Sequence, residues 1–198
     1  MMGAKDNRAK ALREGRLRPT REDLLAARGK TLPDLIAPDL KVLFCGINPG
    51  LYTAAVGRHF ARPGNRFWPA LYQAGFTSRL YSPYEEEKLL GLGLGITNLV
   101  ARATAGAAEL TRDELRAGAE GLRRKVRKYR PRSVAVLGLG AYRIAFAQRD
   151  AGLGLQVESI HGTAIWVLPS PSGANAYYQP QVLIAMLRQL NTAIGAAS

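Results

Sequence analysis

The spacing of apolar and polar positions changes several times along the chain, and each change marks an element. Val42-Leu43-Phe44-Cys45 is a short continuous apolar run, the pattern of a strand covered on both faces, and it predicts a first strand over Lys41–Ile47. Comparable runs predict strands at Ile96–Val100, Ser133–Leu137, Val157–Ile160 and Ile165–Leu168, the last two around a turn at Gly162. Between them the period lengthens. Leu115, Ala119, Leu122, Val126 and Tyr129 recur at spacings of four, three, four and three, which is one stripe of a helix. Thr111 and Glu114 form a capping box at its start, and Pro131 stops it. Ser82-Pro83-Tyr84-Glu85 repeats that start signal for a helix over Pro83–Leu90 that ends before Gly91. Further helices are predicted from the Thr20 cap to Ala27, over Asn65–Ala74, from Ala141, and over Pro180–Ile194, while residues 51–64 read as a loop. Helices and strands alternate, so the expected fold class is α/β: a three-layer αβα sandwich with a mainly parallel central sheet.

Length and composition refine this picture. The 198 residues suit one domain plus a tail. Residues 1–30 read as a basic, partly disordered extension, with nine Lys/Arg against four Asp/Glu, and 31–198 as the globular domain. The first eighteen residues hold little apolar material and are expected to stay mobile. Cys45 is the only cysteine, which excludes an intramolecular disulfide, and with His59 and His161 as the only histidines no usual zinc constellation is available. No apolar run is long enough to span a bilayer, and the N-terminus lacks an apolar signal segment. No membrane partner and a cytoplasmic, nucleoid-associated location are expected, with a monomer as the functional unit.

Lys and Arg number 28 against 15 Asp and Glu, a net charge of +13, and such an excess favours a polyanion, with nucleic acid as the first candidate. Seven cations crowd residues 123–132, where they read either as a solvated helix face or as a source of long-range steering for DNA. Two glycine runs invite a dinucleotide reading. Gly91-Leu92-Gly93-Leu94-Gly95 follows a helix and precedes a strand, the reverse of what that fingerprint needs. Gly138-Leu139-Gly140 follows a strand but has Arg143 where a third glycine belongs.

Two loops carry the stronger chemistry. Gly46-Ile47-Asn48-Pro49-Gly50 ends the first strand abruptly and leaves an amide at its C-terminal end, where open α/β sheets bind ligands. Asn48 can orient a water without carrying charge; equally, it suits an ordinary strand-ending turn. Leu168-Pro169-Ser170-Pro171-Ser172-Gly173-Ala174-Asn175-Ala176 again follows a strand, stiffened by prolines and rich in small donors, a composition fit for phosphate or groove contact. Between them, Phe60 lies in a loop among cations and is the better stacking plate for a base, because Phe67 and Trp68 begin a helix and read as core.

Together with Asn65-Arg66-Phe67-Trp68, Tyr72-Gln73-Ala74-Gly75-Phe76 and Gly95-Ile96-Thr97 to Leu99-Val100, these loops resemble the uracil-DNA glycosylase superfamily. The likeness is nearest to its mismatch-specific uracil-DNA and thymine-DNA glycosylase branch and covers roughly Pro33 to Leu190. The resemblance implies an αβα sandwich without metal or cofactor that removes uracil, or a related damaged base, opposite guanine in double-stranded DNA. It also implies that the base is flipped out of the duplex and that a monofunctional enzyme hydrolyses its N-glycosidic bond. It implies that Asn48 positions the attacking water, that Phe60 stacks on the flipped base, and that backbone groups of Ile47 and Phe60 read its edge. Tyr52 and Thr53 would lie near the base's C5 side and Asn98 near the pocket wall. Gly50, Arg62 and the Ser170, Pro171, Ser172, Gly173, Ala174, Asn175 loop would face DNA, the loop entering the minor groove. Two departures stand out. Ala174 and Ala176 occupy places where relatives carry a bulky apolar and then a basic residue, and alanine is a poor wedge, which leaves Asn175, Tyr177 or Tyr178 to compensate. Ala101 stands where relatives often carry Asp. Either the chain is a weakened form, natural or engineered, that flips and holds the base with little turnover, or Asn48 suffices and position 101 is only structural.

Overall fold

The structure is a computed structural model that describes residues 2–174 and 176–196. Strands that are apolar on both faces need a helical layer on each side, and the chain supplies them. β1 (Val42–Gly46), β2 (Leu94–Asn98), β3 (Ser133–Leu137), β4 (Gly154–Ile160) and β5 (Thr163–Leu168) form one sheet in the order β2-β1-β3-β5-β4. All pairs are parallel except β4 with β5, which form an antiparallel hairpin at one edge. Side chains alternate along a strand, so Val42 and Phe44 enter one core while Leu43 and Cys45 enter the other. The first core is closed by α4 (Phe67–Gln73), by the 3₁₀ helix Pro83–Leu92 and by α7 (Pro180–Ala196). The second is closed by α5 (Arg112–Tyr129) and α6 (Leu139–Ala145). The expected three-layer α/β sandwich is the observed fold.

Packing in the first core fixes the ground on which the candidate site stands. Phe44 meets Phe67 and Phe76 edge-on, with ring centroids 5.4 and 5.7 Å apart. Burying each such ring contributes about 1.5–3 kcal/mol, so the start of α4 is pinned to the sheet, and with it the loop that precedes it. At the β2 edge, Leu35 exchanges backbone hydrogen bonds with Ile96 at 2.9 and 2.7 Å and covers an otherwise open ladder. A side chain at Gly95 would meet the Leu35 carbonyl at 2.7 Å, so this glycine of the 91–95 run serves sheet-edge packing.

Several boundaries differ from the sequence expectation. The segment 51–64 contains α3 (Leu51–Val56), a six-residue helix whose N-cap, Gly50, makes no side-chain cap bond, so no start signal marks it. The Ser82 capping box opens a 3₁₀ rather than an α-helix. β2 begins at Leu94 and stops at Asn98; Leu99 and Val100 leave the sheet, and their N–H groups donate to the Gly46 and Ile47 carbonyls at 2.9 Å each. Strands β4 and β5 and helix α6 each start two or three residues earlier than their apolar runs suggest. The N-terminal segment, expected to carry structure only from Thr20, includes α1 (Met2–Arg13) ahead of α2 (Arg21–Ala26). Sequence pattern gave no hint of α1 because its anchorage is sparse. Leu12 is buried, Arg8 donates to both carboxylate oxygens of Asp23 at 3.1 and 2.5 Å, and the Arg13 carbonyl accepts from Arg58 at 3.3 Å. Among the described residues no helix is long and apolar enough to cross a membrane.

Candidate functional site

Parallel strands place their C-terminal ends on one edge of the sheet, and the loops leaving that edge enclose a cleft of about 140 Å³. Its walls come from the turn after β1, the loop around Phe60, the end of β2, residues 104–107, and the loop after β5. Gly46 and Asn98 are partners in the parallel register, which sets the Asn98 side chain against the floor of the cleft. A Cβ at Gly46 would lie 2.5 Å from Asn98 Oδ1 and 3.4 Å from the tip of the Phe60 ring. Only glycine leaves the Asn98 amide where it is, while the approach to Phe60 would be an ordinary contact.

Asn48 is held by its amide nitrogen. Nδ2 donates to Thr104 Oγ1 at 2.8 Å, to the Arg102 carbonyl at 3.1 Å and to the Pro49 carbonyl at 3.2 Å. The polar atom left to the cleft is therefore Oδ1, an acceptor. Thr104 is itself oriented: it is buried and its hydroxyl donates to the Gly106 carbonyl at 2.8 Å. Oγ1 so accepts from Asn48 and retains a second lone pair. Asn48 and Thr104, each with a neutral acceptor not used in these bonds, thus stand together in the cleft wall.

Phe60 sits in the left-handed region at φ 52°, an unusual conformation for a bulky residue, and its neighbours hold it there. Its ring stacks on Phe67 at 4.1 Å, so the core supports one face and the other is left for the cleft. The preceding residue, His59, is 2 % exposed; its N–H donates to Glu86 at 2.7 Å and its carbonyl accepts from Trp68 Nε1 at 3.2 Å. Burial lowers the His59 pKa, and the neutral ring donates from Nε2 to the Pro33 carbonyl at 3.0 Å.

The wall at 102–107 is clamped from behind. Gly29 N–H donates to the Ala103 carbonyl and Ala103 N–H to the Lys30 carbonyl, at 2.9 and 2.8 Å, and Thr31 bridges Arg102. Arg102 pairs with Glu114, which its guanidinium holds down to about 2. Glu109, paired with Arg28, accepts from the Ala105 and Gly106 N–H groups at 2.9 and 3.2 Å. On the opposite wall, Arg66 N–H donates to the Pro171 carbonyl at 2.9 Å, and its guanidinium reaches the Tyr178 carbonyl at 3.0 Å. Gly173 lies so close to Gly64 that a Cβ would stand 2.8 Å from its carbonyl.

The structure gathers most of the residues singled out in the sequence. Ile47, Asn48, Gly50, Thr53, Phe60, Arg62, Asn98, Ser170, Pro171 and Ser172 border the cleft. Gly173 and Ala174 are exposed on the adjoining turn, and Asn175 lies outside the described residues. Tyr52 does not border the cleft, and Ala101 is exposed and also absent from its lining. Sequence reasoning missed Thr104, His59, Asn65 and the 105–107 segment as parts of the wall. For Thr104 a signal existed, a lone hydroxyl following the β2 motif, but only the folded chain brings it to Asn48.

Charge is placed unexpectedly. The described lining contains one cation, Arg62, and no carboxylate or lysine. The dense cluster at 123–132 lies elsewhere: α5 runs antiparallel to the strands, and the Tyr129 carbonyl and Arg132 N–H bond to Asp39 and Leu40, just before β1 begins. The end of the cluster therefore sits at the N-terminal edge of the sheet, opposite the cleft, while Lys125 reaches back to Thr97 Oγ1 at 2.7 Å. Among the described residues no group of His, Cys, Asp and Glu could hold a metal ion.

Comparison with known proteins adds two findings. A family model described as the uracil DNA glycosylase superfamily matches residues 33–191. Among solved structures, the chain is similar to the solution NMR structure of a provisionally assigned uracil DNA glycosylase from Methanosarcina acetivorans. The two share 22 % identity over 83 % of this chain and 98 % of that one, with a TM-score of 0.50, a likeness of fold.

Proposed function

The chain belongs to the uracil DNA glycosylase superfamily, and we propose that it excises uracil opposite guanine from double-stranded DNA, with Asn48 and Thr104 holding the attacking water. The observation that carries the reading is the hydrogen-bond assignment of Asn48. With Nδ2 spent on Thr104, Arg102 and Pro49, a water donating one hydrogen to Asn48 Oδ1 and the other to Thr104 Oγ1 turns its lone pair toward the cleft. Neither acceptor is a strong base, and among the described residues no carboxylate borders the cleft. The water is thus held, not deprotonated in advance, which suits a path in which the bond to the base breaks first. Cleavage of the C1′–N1 bond leaves the electron pair on the uracil ring and a cationic sugar. The water oxygen then captures C1′ and its proton passes to solvent, giving an abasic site and free base.

Stabilising the departing anion falls to fixed dipoles, worth most in a site that excludes water. Backbone N–H groups at Ile47 and Phe60 and the Asn98 amide are the candidates. Phe60, backed by Phe67, stacks on the flipped base, and Thr53, buried on the cleft wall, stands near the C5 position and disfavours the thymine methyl. A mispaired base costs less to extrude, which favours G:U over paired uracil. Among the described residues no lysine lines the cleft to form a Schiff base, which favours a reaction that ends at hydrolysis. Tyr177, 94 % exposed beyond the 170–174 loop, takes the wedge role that Ala174 fills poorly. A reading as a lesion-binding form with little turnover rests on Ala101, which lies exposed and outside the lining.

The test is a labelled G:U duplex incubated with protein and then treated with alkali. Strand scission at the uracil is expected, together with its loss in Asn48→Ala. Binding without scission would remove the enzymatic reading.

A further inference from the structure

We propose that the outer end of α5, centred on Arg124, Arg127 and Lys128, is a second surface for a nucleic-acid backbone, separate from the cleft. Five-residue strands at about 3.3 Å per residue put roughly 15 Å between the two edges of the sheet. That is about twice the Debye length at physiological salt, so these cations are screened from phosphates gripped at the cleft. They serve either no ligand or a different one.

Three features favour a ligand. The residues are exposed, and among the described residues none of the three takes part in an ion pair with an acid. Three acids near this end are already engaged: Glu120 with Arg123, Asp34 with Lys125, and Asp39 with Arg130. Lys41, exposed at the start of β1, extends the patch through the Ser133 N–H to Lys41 carbonyl bond. Helix-dipole complementarity reaches only the last turn, so it accounts for Arg127 and Lys128 but for neither Arg124 nor Lys41. The adjacent aromatic ring, Tyr129, is already covered by Lys128, whose Nζ lies 5.0 Å from the ring centroid, so the patch offers point charges, which fit phosphates rather than bases. The described lining of the cleft holds one cation, Arg62, so the excess of Lys and Arg lies mostly outside the cleft.

The proposal uses the glycosylase reading only to fill the cleft. In the test, the full chain is loaded on an immobilised short G:U duplex bearing an uncleavable uracil analogue, and a labelled matched duplex is then offered. The wild type is expected to capture it. Arg124→Gln, Arg127→Gln and Lys128→Gln combined should abolish capture and flatten the salt slope of that second event by roughly 2–3, at about 0.9 per phosphate contact. Single-turnover excision at saturating short duplex should not change in the triple variant. Absent capture by the wild type, unaltered capture by the variant, or equal displacement of the labelled duplex by poly-glutamate would each overturn the proposal. Capture without excision by the wild type would instead sink the glycosylase reading and leave this surface standing.

Discussion

Gly46→Ala separates packing from chemistry at a single methyl group. The backbone at Gly46 is outside the left-handed region, so alanine fits the chain itself. Its Cβ, however, would stand 2.5 Å from Asn98 Oδ1, where ordinary contact needs roughly 3.5 Å, and the amide must retreat by about 1 Å. Asn98 is half-buried and the clash is at the far end of its side chain, so the overpacking cost belongs near the low end of the range, about 1 kcal/mol. Replacing a strand glycine by alanine returns about 0.5–1 kcal/mol of backbone entropy. The two nearly cancel, and the melting temperature should stay within about 3 °C of the parent. Excision should behave differently, because a displacement of about 1 Å in a positioned group can cost on the order of 10²-fold in rate. Single-turnover excision from a G:U duplex, run beside thermal melts of the same preparations, measures both quantities. Activity within about threefold of wild type would refute the assignment of Asn98 to the base pocket. A melting temperature lowered by more than about 10 °C would show that the cost is packing, not positioning.

Thr104→Val keeps the branched shape but removes Oγ1, and excision should fall about 10²–10³-fold, with Thr104→Ser restoring most of it; an active valine variant would contradict the two-acceptor site. Gly173→Ala forces its Cβ against the Gly64 carbonyl, with an overpacking cost of about 1–3 kcal/mol that pushes the two loops apart; duplex affinity should drop about tenfold while the rate at saturation holds, and the opposite pattern in titrated kinetics would place this loop at the chemistry instead. Tyr177→Ala should weaken binding of a flipped-base duplex by about 1–3 kcal/mol in anisotropy titrations, and an unchanged affinity would exclude Tyr177 as the wedge. His59 has a pKa lowered by burial, so the unfolded chain binds a proton that the native ring refuses. Its contribution is complete above the unfolded value near about 6.5 and is lost as pH falls toward the folded one. Urea midpoints should therefore decline from about pH 7.5 to 5.5 more steeply in wild type than in His59→Gln, and parallel slopes would disprove the link.

The fold was legible because its signals are local. Apolar runs such as Ser133–Leu137 and the Thr111 cap of α5 each declare an element within a few residues, and alternation of the two kinds implies a parallel sheet. Half of the site was legible for the same reason: the turn at 46–50 and the loop at 168–176 carry their own glycine and proline punctuation. The other half depends on parallel pairing, which joins residues far apart in sequence. Thr104 meets Asn48 across 56 positions, and no periodicity encodes that meeting. Position 101 follows a motif register that is legible in the sequence, but that the chain leaves the sheet at Leu99 and leaves Ala101 exposed, outside the cleft lining, follows only from the fold. The basic cluster is plain in the sequence, where it reads as a solvated helix face or a source of steering, but its distance from the cleft follows only from the direction of α5 against the strands.

The order of residues in the turn after β1 also governs how the protein ages. An asparagine side chain deamidates when the backbone nitrogen of the next residue attacks its carbonyl and closes a succinimide ring. Pro49 has no N–H to lose, so that ring cannot form at Asn48. Had Gly50 stood directly after Asn48, the exposed and flexible amide would have favoured the attack. The amide on which the water depends is thus followed by the one residue that blocks its slow conversion to a carboxylate, and a carboxylate there would set a negative oxygen against the Arg102 and Pro49 carbonyls that now accept from Nδ2.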